Sequence, residues 1–150
     1  MSNTLVRKEP PPQLSEFPHL VEDNVRLGDL DHQNHVNNAV FATFLETGRV
    51  MLLRDLFGEF RGEGAGFVLA RVEIDYLREL HWPGRVVIAT RVARLGNSSV
   101  TFAQGVFNGG ECAARGQSTL VRIDLTTRRS IPFTEDMASQ LRTKMGNRGA

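Results

Sequence analysis

The chain has a single cysteine, Cys112, in 150 residues, which excludes an intrachain disulfide and a metal cluster built from cysteines. Lysine is nearly as scarce. Lys8 and Lys144 are the only two among 18 basic residues, and 17 acidic residues leave a net charge of +1. So balanced a chain presents no broad field for nucleic acid or an anionic membrane, and Arg128-Arg129 is too short to be a patch. The arginine excess suits compact anion contacts, or it reflects genomic base composition. Long apolar runs are absent: nothing approaches the ~20 residues of a membrane span. MSNTLVRKEPPP also lacks the apolar core of a secretion signal. These absences lead to an expectation of a cytoplasmic protein with neither nucleic-acid nor membrane partner.

What is present is ordinary globular material, 41% hydrophobic and 23% charged, enough for one domain with a core. Residues 1–12 end in three prolines and read as a flexible N-terminal arm. Residues 13–133 read as the folded domain, and 134–150 as a C-terminal helix and tail. A strand is expected near Val21–Leu27, then a helix from Asn37 or Asn38 to Phe57. GEFRGEGAG must be loop. Beyond it the period becomes two. FVLARVEIDYLREL puts Val68, Ala70, Val72, Ile74 and Tyr76 on one face and Arg71, Glu73 and Asp75 on the other. RVVIATRVARL, VTFAQGVF and a run from about Glu111 to Leu125 continue the alternation, broken by Trp82-Pro83-Gly84, GNSS and NGGE turns. Thr134, followed by Glu135 and Asp136, caps a last helix reaching about Met145.

The central helix is apolar at Val40, Phe41, Phe44, Leu45, Val50, Met51, Leu52, Leu53 and Leu56, with no single broad polar face. It therefore needs cover on most sides. The order strand, long helix, four antiparallel strands supplies that cover as an α+β hotdog domain, a curved antiparallel sheet of about five strands wrapped around a long central helix. Gly48 would let sheet and helix approach closely.

At the mouth of that helix stands RLGDLDHQNHVNNAVF, which crowds Asp29, Asp31, His32, Gln33, Asn34, His35, Asn37 and Asn38 into ten residues. Each has a plain structural use. Asp29 and Asp31 can make Asx turns or helix caps, and Asn37 and Asn38 are natural helix-start residues. The same groups could do chemistry, with Asp31 as a base or nucleophile and the free N–H groups of the helix start holding an oxyanion. His32 and His35 beside two aspartates also suggest a metal, but the loop lacks the one-face helical spacing of zinc proteases, so no metal is expected. Glu46 and Arg49, three apart, read as a helical ion pair, and Cys112 as a small buried thiol.

GDLDHQNHVNNAVFATFLETGR, followed by VEIDYLREL and RLGNSSVTF, resembles the hotdog-fold acyl-CoA thioesterases. It is also similar to the 4-hydroxybenzoyl-CoA thioesterases and, in its DLD and HVNN elements, to the plant acyl-acyl-carrier-protein thioesterases. The resemblance spans roughly residues 20 to 130. It implies that Asp31 is the essential carboxylate and that the backbone N–H near Asn38 contacts the thioester oxygen. Gln33 and His35 then stand at the plant family's amide and histidine positions, with glutamine replacing the usual asparagine, and Asp75 matches a further carboxylate. Glu46 is a weaker alternative acid, and Asn37 a supporting residue. Arg94, Asn97, Ser98 and Ser99 fall where relatives often contact coenzyme A, though turn chemistry alone would also account for them. Many bacterial relatives have glycine where this chain has Asn34, a residue that tolerates positive φ.

The expected activity is hydrolysis of an acyl-CoA or acyl carrier protein thioester by a homodimer or homotetramer. No cofactor is expected beyond the coenzyme A of the substrate. A non-catalytic module that binds acyl thioesters, or a hotdog hydratase or dehydratase, remains the alternative.

Overall fold

The computed structural model describes residues 9–59 and 64–146. Part of the GEFRGEGAG loop and residues 1–8 of the arm lie outside the described residues. The elements are β1 (His19–Val25), α1 (Asn38–Phe57), β2 (Ala65–Tyr76), β3 (Gly84–Leu95), β4 (Ser99–Asn108), β5 (Glu111–Asp124) and α2 (Glu135–Arg142). One antiparallel sheet has the order β1-β3-β4-β5-β2. The α1 helix lies across its concave face, and this is the expected hotdog domain. β1 begins and ends two residues earlier than expected, its end set by the 3₁₀ turn at Leu27–Asp29. α2 stops at Arg142, short of Met145.

Helix α1 buries Phe41, Phe44, Leu45, Gly48, Arg49, Leu52 and Leu53, the i, i+3, i+4 stripe of a helix covered on one side. The expectation of cover on most sides is corrected: Thr43, Glu46, Val50 and Arg54 face outward. The sequence misled because polarity is inverted at two neighbouring positions. Arg49 is 4% exposed while Val50 is 45% exposed, which blurs the stripe.

The stripe seats two apolar clusters. Phe41, Phe44 and Leu45 pack with Val36, Leu80, Val86, Ile88, Val106 and Ala114. Leu52 and Leu53 pack with Val92, Val100, Phe102, Leu120 and Leu141 of α2. A buried polar layer lies along the same face. Gln104 donates to the Leu45 carbonyl (2.9 Å) and to Thr90 Oγ1 (3.0 Å), and Arg49 donates to Ser118 Oγ (2.9 Å) and Gln104 Oε1 (3.4 Å). Gly48 makes this possible, since an added Cβ would sit 2.6 Å from Ile88 Cγ2 and 2.9 Å from both Gln104 Nε2 and Thr90 Oγ1.

The convex face has its own cover. Phe17 and Leu14 pack on Ala89, Phe107, Cys112 and Leu77, and burial pushes the Cys112 thiol up to about 11. Residues Glu9 and Pro10 lay their carbonyls on Arg115 (3.2 Å each).

Strand β2 does not keep the face assigned from its alternation. Its pairing with β5 slips between Leu69 and Arg71, leaving Ala70 as an extra residue. A bulge flips every side chain on one side of it. Phe67 packs with the cluster at the helix C-terminal half and Ile74 with the other, so inward residues pass from odd to even numbers across Ala70.

Candidate active site

The loop between β1 and α1 closes on itself. Asp29 accepts the Arg26 N–H on Oδ2 (2.8 Å) and the Asn37 N–H on its carbonyl (2.9 Å), a purely local use of that carboxylate. Leu30 and Val36 bridge in antiparallel fashion. Within that bridge Asp31 N–H donates to the His35 carbonyl (2.9 Å) and Asn34 N–H to the Asp31 carbonyl (3.1 Å). Asn34 takes φ 63°, the left-handed conformation that asparagine tolerates better than most residues.

The turn aims backbone donors at Asp31. Its Oδ1 accepts the Gln33 N–H (2.8 Å), with the His35 N–H at 3.4 Å. The Gln33 bond, aided by the His35 N–H and the two nearby imidazoles, holds the carboxyl below the usual aspartate value against the opposing effect of desolvation. Asp31 is therefore ionised at neutral pH. Its Oδ2 has no protein hydrogen bond among the described residues.

Two residues beyond His35, α1 is capped. Asn37 is its N-cap, accepting the Ala39 N–H on Oδ1 (3.0 Å) and the Val40 N–H on its carbonyl (2.9 Å). The Asn38 N–H, the first of the helix, has no acceptor among the described residues. Helix starts leave such donors free, with the positive end of the dipole behind them. Tyr76 pins this mouth: its hydroxyl donates to the Asn38 carbonyl (3.0 Å) and its ring meets Phe41 edge-on at 5.3 Å. Sequence reasoning passed over Tyr76, although it is the chain's one tyrosine and sits inside the quoted VEIDYLREL.

The remaining candidates separate. The His35 imidazole pairs with Glu79, Nε2 to Oε2 3.2 Å, so it reaches Asp31 through its charge and only its backbone N–H bonds that carboxylate. Gln33 likewise contributes its N–H, and its side chain is exposed. Glu46 is exposed, and the expected ion pair with Arg49 does not form, because Arg49 turns inward to Ser118 and Gln104. Burial lowers the Arg49 pKa, opposed by the field of Glu46. Asp75 is on the convex face, 3.1 Å from Arg115, and is not brought to Asp31.

The hairpin bearing Arg94, Asn97, Ser98 and Ser99 is also remote from Asp31. Val25, just before the loop, pairs with Gly84 at the start of β3, whereas the hairpin follows its end. At ~3.3 Å per residue that separation is on the order of 30 Å. Within one chain, therefore, the hairpin does not join the loop. The Asn97 and Ser98 carbonyls instead accept the Phe133 and Arg122 N–H groups.

The arrangement thus offers an ionised carboxylate with one free oxygen and, in the same loop, a free helix-start N–H. Comparison with known proteins gives this geometry a family. A model of the thioesterase-like superfamily matches residues 25–141. The chain belongs to that superfamily. A thioesterase of Thermus thermophilus, solved with coenzyme A and zinc, is 37% identical, with 85% of this chain and 94% of that one covered and a TM-score of 0.76. The PA5185 protein of Pseudomonas aeruginosa PAO1 is 26% identical, covering 91% of this chain and 98% of its own, with a TM-score of 0.85. A Bacillus subtilis (strain 168) protein named as a candidate acyl-CoA thioesterase is 22% identical over 116 residues, 75% of this chain and 84% of that one. Thioester hydrolysis is the reaction class that goes with the superfamily, and no helix among the described residues is long and apolar enough to cross a membrane.

Proposed function

We propose that this thioesterase-superfamily chain hydrolyses acyl-CoA esters to free acid and coenzyme A, with Asp31 as the reacting carboxylate and the Asn38 N–H as oxyanion donor. The free N–H at the mouth of α1, in the same loop as the turn that keeps Asp31 ionised, carries the reading. In one route Asp31 takes a proton from water as that water attacks the thioester carbon. In the other, Oδ2 attacks the thioester carbon to give a mixed anhydride, which water then cleaves; in either route the C–S bond breaks and coenzyme A leaves as a thiolate that takes up a proton. In both, charge developing on the carbonyl oxygen meets a preorganised donor and a helix dipole. The coenzyme A bound to the 37% identical Thermus relative supports a CoA ester over an acyl carrier protein ester.

The test is thiol release from short, long and aromatic acyl-CoAs. Release from at least one class, at rates well above buffer hydrolysis, is expected. Release from acyl carrier protein esters alone would move the substrate. No release from either would favour the binding module, and hydration of an enoyl ester without thiol release would favour the hydratase.

We further propose that the working unit is a homodimer paired through β2. This 12-residue strand is an open sheet edge, and it exposes Leu69, Val72 and Tyr76 while α1 exposes Val50 and Met51. A long apolar edge is a ready template for a second copy. A hairpin that one chain keeps far from Asp31 could then serve the other chain's substrate. Light scattering should give twice the 16.7 kDa chain mass or a multiple of that pair. A monomer at working concentration would overturn the proposal.

A further inference from the structure

The structure brings together potential metal ligands from two segments that the sequence keeps far apart. His35 belongs to the loop before α1, while Glu79 and His81 belong to the connection from β2 to β3. Glu79 Oε2 lies 3.2 Å from His35 Nε2 and 3.9 Å from His81 Nε2. One ligating atom from each of the three residues falls within 4.8 Å of the others. The two imidazoles stand edge to face with ring centroids 5.2 Å apart.

We propose that His35, Glu79 and His81 form a binding site for a divalent first-row cation, of which zinc is the natural probe. Two imidazole nitrogens and one carboxylate oxygen are a standard donor set for zinc, at ~2.0–2.2 Å per bond. Tetrahedral bonds of that length set ligand atoms about 3.3 Å apart. The His35–Glu79 pair is already at that separation, and His81 Nε2 stands 3.9 Å from Glu79 Oε2.

The backbone that carries Glu79 and His81 is anchored on both sides. Leu80, between Glu79 and His81, is buried in the core against Val36, and its carbonyl accepts the Val36 N–H at 2.9 Å. The segment before it is tied to β5, where the Leu77 and Arg78 N–H groups both reach the Ala113 carbonyl. Arg78 pairs with Glu111 (2.9 Å), which leaves the Glu79 carboxylate to the two imidazoles. Solvent reaches the site, His81 and Glu79 being more than half exposed, so water could complete the coordination. The grouping that assembles among the described residues is therefore not the histidine–aspartate one that the loop sequence suggested. The cation would clamp the Asp31 turn to the β2–β3 connection. The site stands independently of the thioesterase reading.

The experiment is calorimetric titration of zinc chloride into the full chain after chelator treatment and exchange, with melting followed in parallel. One zinc per chain is expected, together with a zinc-dependent rise in Tm. His81→Ala and Glu79→Gln should each weaken binding by about tenfold or more and abolish the rise in Tm, while His32→Ala, an exposed neighbour, should bind as the wild type does. Both altered side chains lie largely in solvent, so the metal-free variants should melt as the wild type does. If either misfolds, the other still decides. No uptake by the wild type, or equal uptake by His81→Ala and Glu79→Gln, would overturn the site.

Discussion

Asp31→Asn is expected to lower kcat/KM by more than ~10² while leaving Tm unchanged. The asparagine keeps an Oδ1 that can accept the Gln33 N–H (2.8 Å in the native turn), so the loop survives. What it loses is the negative charge and the free second oxygen, needed by both the general-base and the anhydride route. Steady-state kinetics beside a thermal melt separates the two effects. An Asp31→Asn enzyme of near-native activity would remove Asp31 from the chemistry and send the search for the acid to Glu46. The pH profile makes a matching demand. Because backbone donation lowers the Asp31 pKa, the reactive carboxylate is fully present at neutral pH and is lost only as pH falls through the lowered value. The acid limb of kcat/KM should therefore lie below 3.8, the ordinary aspartate value, to the extent that the fold survives there. Because kcat/KM reports the free enzyme, a limb near neutrality would show that some group other than Asp31 controls the rate.

Gly48→Val should be the most damaging single change to stability. The Cβ alone would stand 2.6 Å from Ile88 Cγ2 and 2.9 Å from Gln104 Nε2 and Thr90 Oγ1, and the two valine methyl groups need still more room. Overpacking of a filled core costs about 1–3 kcal/mol. Displacing Gln104 would also strip its bonds to Leu45 and Thr90 in a layer closed to water. A loss of about 3 kcal/mol corresponds to a fall in Tm of roughly 6–12 °C for a chain of this size. Gly48→Ala is the informative companion, since alanine gains ~1 kcal/mol of helix propensity over glycine and meets the same three atoms. If Gly48→Val melts within about 2 °C of the wild type, helix and sheet do not approach as closely as described.

Much of the active-site loop was legible because its rules are local. An asparagine before an apolar run caps the helix it starts, and Asn34 takes the positive φ that an asparagine was expected to tolerate. Asp31 bonds backbone groups two and four residues on, a contact whose reach is written in the spacing. The strand faces of β3 followed for the same reason: Val86, Ile88, Thr90 and Val92 alternate without interruption as far as Val92, and all four are buried. In β2 the same reasoning assigned the wrong face before Ala70, because a bulge depends on which strand lies alongside and at what register.

The sequence by itself thus determined the order of elements, the hotdog arrangement, and a carboxylate turn leading into a helix start, all carried by periodicity and short-range hydrogen bonding. The tertiary structure alone decided which distant groups meet. It turned Arg49 inward to Ser118 and left Glu46 in solvent, and it drew Tyr76 onto the Asn38 carbonyl. It also set Asp75 on the convex face beside Arg115, and faced His35 with Glu79 and His81 across two loops. These contacts depend on strand order and register, which are settled only when the whole sheet closes over its helix.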